Sequence, residues 1–315
     1  MTGFFAGMEN GMAKQASNLS GLLVVNKPKK MTSFGVVARL RRISGQKKIG
    51  HAGTLDPNVD GVLVVALGKA TKLIDLLQTR PKTYRGTVTF GYATESQDAD
   101  GAVVEEKPLT EALDEDKLQA AFSALEGDIV QVPPIYSAVK VNGKRLYEYA
   151  RAGEEVTLPK RSATIYRFRP SSRLRWVEGK PYQSIDFEAT VSKGTYIRTL
   201  AYDLGQSLGL PATMSKLTRT SGSGFDLSEA TDLDDLMALT EESIVRKVKP
   251  IASVLTYERK DLTDEEYFAV KNGQKIQSWA KNNDGFYQLY YHNQLIAVYA
   301  YSEDEQLWRS RYFFA

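Results

Sequence analysis

The spacing of apolar and polar positions predicts strands and helices in mixed order from the start of the chain. An apolar run over residues 21–26 ends in a turn signal at Pro28, which predicts a strand and a turn. Thr32 or Ser33 can cap the next helix, because apolar residues then recur at helical spacing. A second apolar run, Val62–Leu67, follows a glycine-rich loop, so the polar residues of that loop lie beside a rigid element.

Three later segments alternate apolar and polar residues, as strands with one buried face do. They are Thr83–Phe90, Thr164–Arg169 and Ser184–Val191. Helical periodicity returns over Thr199–Leu208 and Leu233–Leu239. This order of elements predicts an α+β fold with antiparallel pairing.

The composition changes beyond Pro250, where eight of the 17 tyrosines lie. Two short β-like runs, Tyr287–Tyr291 and Leu295–Tyr301, also fall there. We therefore predict a small separate β domain at the end of the chain. At the other end, residues 1–20 contain no apolar core of signal-peptide length, and we expect a flexible tail.

The composition excludes several kinds of chemistry. The 315-residue chain has no cysteine, which removes disulfides and thiolate nucleophiles and is typical of a reducing compartment such as the cytoplasm. It has two histidines, His51 and His292, too few for a multi-histidine metal site. The longest apolar run is far shorter than the roughly 18 residues of a membrane helix. With 42% hydrophobic and 25% charged residues, the chain is typical of globular proteins.

The net charge of +3 hides an uneven distribution of charge along the chain. Residues 20–55 carry eight basic side chains and no carboxylate, and residues 138–175 carry ten basic side chains and three glutamates. Between them, Glu95–Asp128 holds eleven acidic residues with apolar positions at helical spacing, which predicts a solvated amphipathic helix. Either basic stretch alone fits an ordinary solvated surface, whereas the two together favour a groove for nucleic acid.

Asp56 is the first carboxylate after the long basic stretch, so we expect cations to keep it ionised near neutral pH. An ionised aspartate can act as a nucleophile, although an aspartate before Pro57 can also simply cap a turn. His51 fits a functional contact or a plain surface position equally well, and no second histidine or cysteine nearby indicates a metal site.

Four motifs occur in a fixed order along the chain. They are Asn26-Lys27-Pro28, Gly50-His51-Ala52-Gly53-Thr54-Leu55-Asp56-Pro57, Lys82-Thr83-Tyr84-Arg85-Gly86 and Ser192-Lys193-Gly194-Thr195-Tyr196-Ile197-Arg198-Thr199. Together with Leu217-Thr218-Arg219-Thr220, they closely resemble the bacterial TruB tRNA pseudouridine synthases over residues 21–255. Residues 256–315 are similar, mainly in position and β-like pattern, to the PUA-like RNA-binding domains attached to this family.

The resemblance implies a pseudouridine synthase fold over residues 21–255, with a mixed, largely antiparallel sheet flanked by helices. It implies an isomerase that converts the T-loop uridine at tRNA position 55 to pseudouridine by moving the uracil bond from N1 to C5. No metal or cofactor takes part, and a carboxylate attacks either the uracil ring or ribose C1′. The base must first be flipped out of its stack. Assistance with tRNA folding is a second implied role.

The family's functional positions match this chain residue by residue. The resemblance implies that Asp56 is the nucleophile and that Arg198 pairs with it and orients it. It implies that Tyr84 stacks on the flipped uracil and assists proton transfer, while Tyr196 and Leu217 wall the pocket.

Two further positions have contact roles in the family. The resemblance implies that His51 enters the T loop and helps to displace the target base. It implies that Lys27 buttresses the site or meets a phosphate.

An RNA-gripping insertion is implied at about residues 130–155, where basic and aromatic residues interleave. Lys140, Lys144 and Arg145 are its expected RNA-binding cations, and binding is expected to weaken with salt. A plain solvated hairpin would have the same composition, so that alternative stays open.

Two positions depart from the family pattern. Lys30 stands where glycine is usual, which puts a tight turn at this position in doubt. Val59 replaces a commonly small residue after Asp56, and its larger side chain is expected to narrow the packing beneath the loop. Neither change removes a reactive group, so we expect activity to survive.

A noncatalytic tRNA-binding factor is the competing hypothesis. Asp56 argues against it, because binding alone does not require a carboxylate that opposes the approach of RNA. A hydrolase acting on small molecules would lack a second catalytic carboxylate in the motifs. We expect a cytoplasmic monomer that binds the T loop and T stem of tRNA, with no obligatory protein partner and no membrane.

Overall fold

The computed structural model describes residues 19–277 and 285–315. Most of the tail predicted over residues 1–20 lies outside these ranges. Within them, no helix is long and apolar enough to cross a membrane.

Strands occur along most of the described chain. In chain order they are β1 (Gly21–Lys27), β2 (Ile49–His51), β3 (Asp60–Leu67), β4 (Lys82–Phe90), β5 (Tyr92–Thr94), β6 (Val103–Glu106), β7 (Gly127–Gln131), β8 (Lys140–Val141), β9 (Lys144–Arg145), β10 (Arg161–Pro170), β11 (Arg175–Trp176), β12 (Gln183–Val191), β13 (Ala212–Gly222), β14 (Phe225–Asp226), β15 (Thr231–Asp232), β16 (Glu258–Asp261), β17 (Phe286–Tyr291), β18 (Gln294–Ser302) and β19 (Leu307–Phe313).

Helices are shorter and lie between these strands. They are α1 (Ser33–Ser44), α2 (Ile74–Thr79), α3 (Glu115–Ala124), α4 (Leu146–Ala152), α5 (Ile197–Ser207), α6 (Leu233–Ala238), α7 (Glu241–Lys247) and α8 (Asp264–Lys271). Short 3₁₀ segments cover Gly68–Leu73, Leu227–Glu229 and Ile251–Val254. The predicted cap of α1 is confirmed, since the Thr32 hydroxyl accepts a hydrogen bond from the Gly35 N–H.

Eleven of the described strands pair into one large sheet, whose main path runs β15-β1-β3-β13-β4-β12-β10-β7. The β1–β15 and β3–β13 pairs are parallel, and the other neighbours on the path are antiparallel. The α+β class with a mixed, largely antiparallel sheet is therefore confirmed. The apolar run Val62–Leu67 lies in β3, an interior strand buried on both faces, which explains why it does not alternate.

The two faces of β1 belong to different cores, because successive side chains on a strand point in opposite directions. Leu23 joins the larger core with helices α1, α3 and α5. Leu22 joins a second core, which also contains Val298 and Phe314 from the end of the chain. The C-terminal strands therefore pack against the face of the large sheet opposite the larger core.

The C-terminal strands form a four-stranded sheet in the order β16-β17-β18-β19. Tyr299 and Trp308 are fully buried at its own centre. The predicted β-rich, PUA-like C-terminal domain is confirmed.

The prediction of one solvated helix over Glu95–Asp128 is wrong for most of that block. Only α3 is helical, capped by Asp114, whose carboxylate accepts from the Asp116 and Lys117 N–H groups. The earlier part forms the β5–β6 hairpin and a loop, and it turns Asp98 inward, with a side chain 14% exposed. The acidic composition of the block does not predict that Asp98 turns inward, because one well-placed cation is enough to stabilise a buried carboxylate.

The two departures from the family pattern are accommodated locally. Lys30 has a φ of 62°, so the turn is kept by a residue in the left-handed region rather than by glycine. Val59 is buried, and its N–H donates to the Asp56 carbonyl at 3.1 Å. Val59 is the last residue of the loop that carries Asp56, and its side chain belongs to the larger core.

Candidate active site

Asp56 lies in a loop that joins two paired strands, β2 and β3. Near its start, the Ala52 N–H donates to the Val64 carbonyl at 2.8 Å. In its middle, the Leu55 N–H donates to the buried Ser33 hydroxyl of α1 at 2.8 Å. These bonds hold the segment 52–59, called the catalytic loop below, between the sheet and α1.

Lys27 holds the far end of the catalytic loop. Its fully buried side chain donates through Nζ to the carbonyls of Pro28 at 2.8 Å, Met31 at 2.6 Å and Pro57 at 3.1 Å. Burial lowers the pKa of Lys27 to about 8, partly opposed by the carboxylates of Asp60 and Asp56. All three Nζ donors are thus directed at carbonyl oxygens, an arrangement that buttresses the loop.

Arg219 of β13 holds the near end of the catalytic loop. Its buried guanidinium donates to the carbonyls of Val62 at 2.6 Å, Gly53 at 3.2 Å and Thr54 at 3.5 Å. Gly61 permits this approach, since its φ is 106° and a Cβ there would lie 2.2 Å from the Arg219 carbonyl oxygen. The sequence motif contained Arg219 but did not reveal this role.

Arg198, at the start of α5, lies between two carboxylates. It is buried, and its Nη2 lies 3.2 Å from Asp56 Oδ2 while its Nη1 lies 3.3 Å from Asp98 Oδ2. It also donates to the carbonyls of Ser96 and Tyr136, each at 3.1 Å. The structure therefore brings Arg198 and Asp56 together and fixes the guanidinium on several sides.

Asp98 is the participant that sequence reasoning missed. It lies in a loop attached to β13 by a hydrogen bond from the Met214 N–H to the Gln97 carbonyl at 3.1 Å. Its carboxylate also accepts from Ser96 Oγ at 2.6 Å. In the sequence, Asp98 is an aspartate close to apolar strands, which could have indicated a buried position. It did not stand out, because many other acidic residues surround it.

The pKa of Asp56 reflects both its burial and neighbouring charges of either sign. Its side chain is 45% exposed toward the cleft. Loss of hydration raises the pKa of Asp56 above its ordinary value, Arg198 opposes this, and Asp98 and Asp100 add to it. Burial and the neighbouring carboxylates therefore outweigh the close guanidinium in setting the direction of the pKa shift, and the ionisation of Asp56 near neutral pH stays a prediction.

A cavity of about 360 Å³ opens over the Asp56 carboxylate. Asp56, Tyr84, Tyr196, Arg198 and Leu217 all line it, so the structure brings these predicted residues together. Its polar members stand among apolar walls, as in sites that bind small molecules.

Two elements hold the cavity's aromatic walls. Tyr84 is 7% exposed and belongs to β4. The backbone of Tyr196 is clamped by the buried Gln131 of β7, whose amide accepts from the Tyr196 N–H at 2.9 Å and donates to its carbonyl at 3.2 Å. Gln131 is a second residue that sequence reasoning missed, because its contact joins a strand to the start of a helix far away in sequence.

His51 stands apart from the cavity lining, at the end of β2. It is half-buried, and its Nδ1 accepts from the Gly53 N–H at 3.4 Å. Burial and the nearby Arg219 lower the pKa of His51. An uncharged imidazole ring is consistent with a role in contacting RNA rather than with a role that requires a positive charge.

The insertion at about residues 130–155 forms the β8–β9 hairpin and α4. Lys144 lies 4.7 Å from the Tyr149 ring centroid and 2.7 Å from Glu154, and Arg145 lies 5.8 Å from the Tyr147 ring. Lys140 is exposed. Because residues 137–139 line the cavity, the insertion brings these cations to its rim.

Two family models match consecutive parts of the chain. Residues 41–197 match the model described as TruB family pseudouridylate synthase (N terminal domain). Residues 198–256 match the tRNA pseudouridylate synthase B C-terminal domain. The chain belongs to the TruB family.

Curated TruB relatives match over most of their length. The tRNA pseudouridine synthase B of Lactobacillus acidophilus is 47% identical over 282 residues, covering 89% of this chain and 94% of that protein. The protein of the same name from Lactiplantibacillus plantarum is 42% identical, covering 94% and 99%.

Solved structures show the same architecture. A chain in the crystal structure of a Cbf5-Nop10-Gar1 complex has a TM-score of 0.65 and 26% identity, covering 92% of this chain and 80% of that one. A chain in an H/ACA RNP bound to a substrate RNA containing 2′-deoxyuridine also has a TM-score of 0.65, at 22% identity, covering 98% and 87%, and shows the shared fold.

Proposed function

We propose that Asp56 is the nucleophile with which this TruB-family tRNA pseudouridine synthase isomerises the T-loop uridine at position 55. The observation that carries the proposal is the 3.2 Å contact between Asp56 and the buried Arg198, at the base of a cavity walled by Tyr84, Tyr196 and Leu217. A buried arginine that is itself fixed by several partners keeps the carboxylate oriented at a position where a flipped base would enter.

The isomerisation needs no co-reactant. The bond between ribose C1′ and uracil N1 breaks, a bond between C1′ and C5 forms, C5 loses a proton and N1 gains one. Asp56 forms a transient covalent bond, either to the uracil ring or to C1′, and the proposal holds for both. Tyr84 stacks on the uracil and assists the proton transfer from C5.

Flipping the base costs on the order of a few kcal/mol, which contacts in the pocket must offset. We assign the aromatic and apolar contacts to Tyr84, Tyr196 and Leu217. His51 enters the T loop and displaces the target base, while Lys27 buttresses the catalytic loop from behind.

The cations of the insertion bind the RNA backbone. Lys144 and Arg145 stand beside tyrosine rings at the rim of the cavity, and Lys140 is exposed nearby, a combination that suits phosphate contacts and stacking on loop bases.

We further infer that the chain works as a cytoplasmic monomer on tRNA. A catalytic domain over residues 21–255 carries both the cleft and the insertion, and a PUA-like domain over residues 256–315 packs behind it. No step of the proposed reaction calls for a second chain.

Release of tritium from uracil C5 tests the chemistry, because that hydrogen must leave during isomerisation. Wild type should release about one equivalent per unmodified tRNA, and Asp56→Asn should release none while still binding tRNA. The matched control is Asp116→Asn, which neutralises an exposed carboxylate on α3. Tight binding without release by wild type would instead indicate a noncatalytic tRNA-binding factor.

A further inference from the structure

The hydroxyl of Ser137 is a buried polar group that neither the fold nor the proposed mechanism uses. Ser137 is 6% exposed and lines the cavity over Asp56. Its Oγ is buried and has no hydrogen-bond partner among the residues that the structure describes. Other described side chains with a buried, unpartnered polar atom, those of Arg41, Gln46 and Trp308, do not line this cavity. The unpartnered hydroxyl of Ser137 therefore coincides with the site where the reaction is proposed to occur.

Backbone hydrogen bonds on either side fix Ser137 beside the reacting carboxylate. The Tyr136 carbonyl accepts from Arg198 Nη2 at 3.1 Å, and the same nitrogen lies 3.2 Å from Asp56 Oδ2. The Ser137 carbonyl in turn accepts from the Tyr147 N–H at 3.1 Å, at the start of α4. The main chain of Ser137 is thus held next to the Arg198–Asp56 pair, while no hydrogen bond holds its side chain.

An unpartnered hydroxyl at this position costs stability, because a buried donor has lost its hydrogen bonds to water and gained none in return. Most buried polar groups of native proteins are paired, so an exception at a binding cavity points to a partner that arrives with the ligand. A serine side chain turns about a single bond, χ1, between staggered positions. Because no hydrogen bond has to break, the Oγ of Ser137 can turn toward a polar atom that enters the cavity.

The part of a flipped nucleotide that reaches a buried side chain is the base. The base enters first, because the ribose stays attached to the RNA backbone outside the cavity. Uracil presents two carbonyl oxygens, O2 and O4, and a hydroxyl can donate a hydrogen bond to either.

Both routes open to Asp56 place negative charge on such an oxygen. When the ring leaves C1′, the charge spreads over N1, O2 and O4, and when the carboxylate adds to the ring, it reaches O4. A hydrogen bond from a hydroxyl to that oxygen is therefore stronger in the transition state than in the bound substrate, and it accelerates the chemical step.

We propose that Ser137 donates a hydrogen bond from Oγ to a carbonyl oxygen of the flipped uracil and stabilises the negative charge that develops there. The inference rests on the proposed function, since it requires a uridine in the cavity. Tyr84, Tyr196 and Leu217 then hold the ring by its faces, and Ser137 contacts its polar edge. The hydroxyl that lacks a partner in the free protein gains one in the complex with RNA.

The first test measures single-turnover tritium release from unmodified tRNA by Ser137→Ala. We expect the maximum rate to fall about tenfold and the Kd for tRNA to change less than about twofold, because the lost bond acts mainly in the transition state. Ser137→Cys fills the same space with a weaker donor, so its rate should also stay below that of wild type. An unchanged rate in Ser137→Ala, a weaker Kd as its only change, or full activity in Ser137→Cys would overturn the inference.

Thermal unfolding separates a lost contact to substrate from a lost contact within the protein. Ser137→Ala removes no hydrogen bond of the described structure, so its Tm should equal or exceed that of wild type. The matched control is Ser44→Ala, since the buried Ser44 hydroxyl donates to the Leu40 carbonyl at 2.7 Å and lies outside the cavity. Its Tm should fall while its rate of tritium release stays at the wild-type value. A lowered Tm together with a lowered rate in Ser137→Ala would indicate a structural role and contradict the proposal.

Substrate analogues identify the atom that Ser137 contacts. In tRNA with 2-thiouridine or 4-thiouridine at the target position, sulfur replaces one carbonyl oxygen and accepts hydrogen bonds only weakly. The ratio of the wild-type rate to the Ser137→Ala rate should fall toward one with one of these two RNAs. A ratio that is the same for uridine and for both analogues would overturn the inference.

Failure of the proposed function gives a different result. If wild type releases no tritium, the proposed function fails and this inference fails with it. If wild type and Ser137→Ala release tritium at the same rate, the inference alone fails, and Asp56→Asn still tests the nucleophile.

Discussion

Two sets of cations surround the cleft and act in different ways. Lys27 and Arg219 are buried, and their donors are directed at backbone carbonyls around the catalytic loop. Lys140 and Arg145 are exposed at the rim, with their charges toward solvent. The first set shapes the protein and the second remains available to RNA, so burial rather than residue type assigns the role.

The substitution Arg219→Met tests whether the buried cations stabilise the protein, and it has the largest expected effect. The change leaves the carbonyls of Gly53, Thr54 and Val62 without their donor, and we expect a loss of about 3 kcal/mol in the free energy of unfolding. Urea unfolding measures it, with the exposed Arg145→Met as control. A loss under about 1 kcal/mol for Arg219→Met would show that the buried cation is not structural.

Arg198→Lys tests whether geometry matters beyond charge. A lysine keeps the charge but cannot contact Asp56 and Asp98 with a rigid fork, so we expect kcat to fall about 100-fold. Single-turnover tritium release measures this. The control, Arg39→Lys at the exposed pair with Asp234, should leave kcat unchanged.

Asp203 extends the comparison of buried and exposed charges to a half-buried carboxylate whose pKa shift has burial as its cause. Burial alone raises its pKa from 3.8 to about 6. Between those values the folded protein keeps a proton that the unfolded chain releases, so this group's contribution to stability falls as pH rises. Asp203→Asn should remove that dependence and be about 1 kcal/mol more stable above pH 6, since solvent screens part of the effect.

Urea unfolding at a series of pH values checks this prediction. The exposed Asp234→Asn serves as the matched control and should follow wild type across the range. A parallel pH profile for wild type and Asp203→Asn would contradict the assignment.

The cations of the insertion should affect RNA binding rather than stability, the opposite of what we expect for Arg219. Replacing Lys140, Lys144 and Arg145 with alanine should change the free energy of unfolding by about 0.5 kcal/mol or less per site. We expect KM for tRNA to rise about tenfold at low salt, and the rise should shrink as salt screens the RNA. Loss of stability with unchanged KM would reverse the two roles.

The smallest expected effect concerns Lys30. Its φ of 62° costs about 1–2 kcal/mol for a residue with a side chain, and glycine avoids that cost at the expense of a more flexible unfolded chain. We expect Lys30→Gly to raise the free energy of unfolding by about 0.5–1 kcal/mol. Lys29→Gly next to it should lower stability instead.

Sequence reasoning located the residues that line the cavity better than those that support them. Asp56, Tyr84, Tyr196, Arg198 and Leu217 were found because short motifs carry them, and they meet in one cavity. The supporting contacts of Asp98, Gln131 and Arg219 join segments far apart in sequence, and such contacts leave no local pattern.

The sequence by itself determined the elements and their order. Apolar periodicity specifies which residues of a strand or helix face a core, and that information is local. It also determined the family, through residues whose chemistry depends on their identity. The prediction of one long acidic helix was wrong, because composition describes the average character of a segment and not the direction of one side chain.

Only the tertiary structure decided how charges are used. It turned Asp98 into the core beside Arg198, directed Arg219 at the catalytic loop and gathered Lys47, Lys48 and Lys69 at the second domain. The free energy of a charge depends on its hydration and on neighbours within a few ångströms. Those neighbours come from strands that the chain brings together only when it folds.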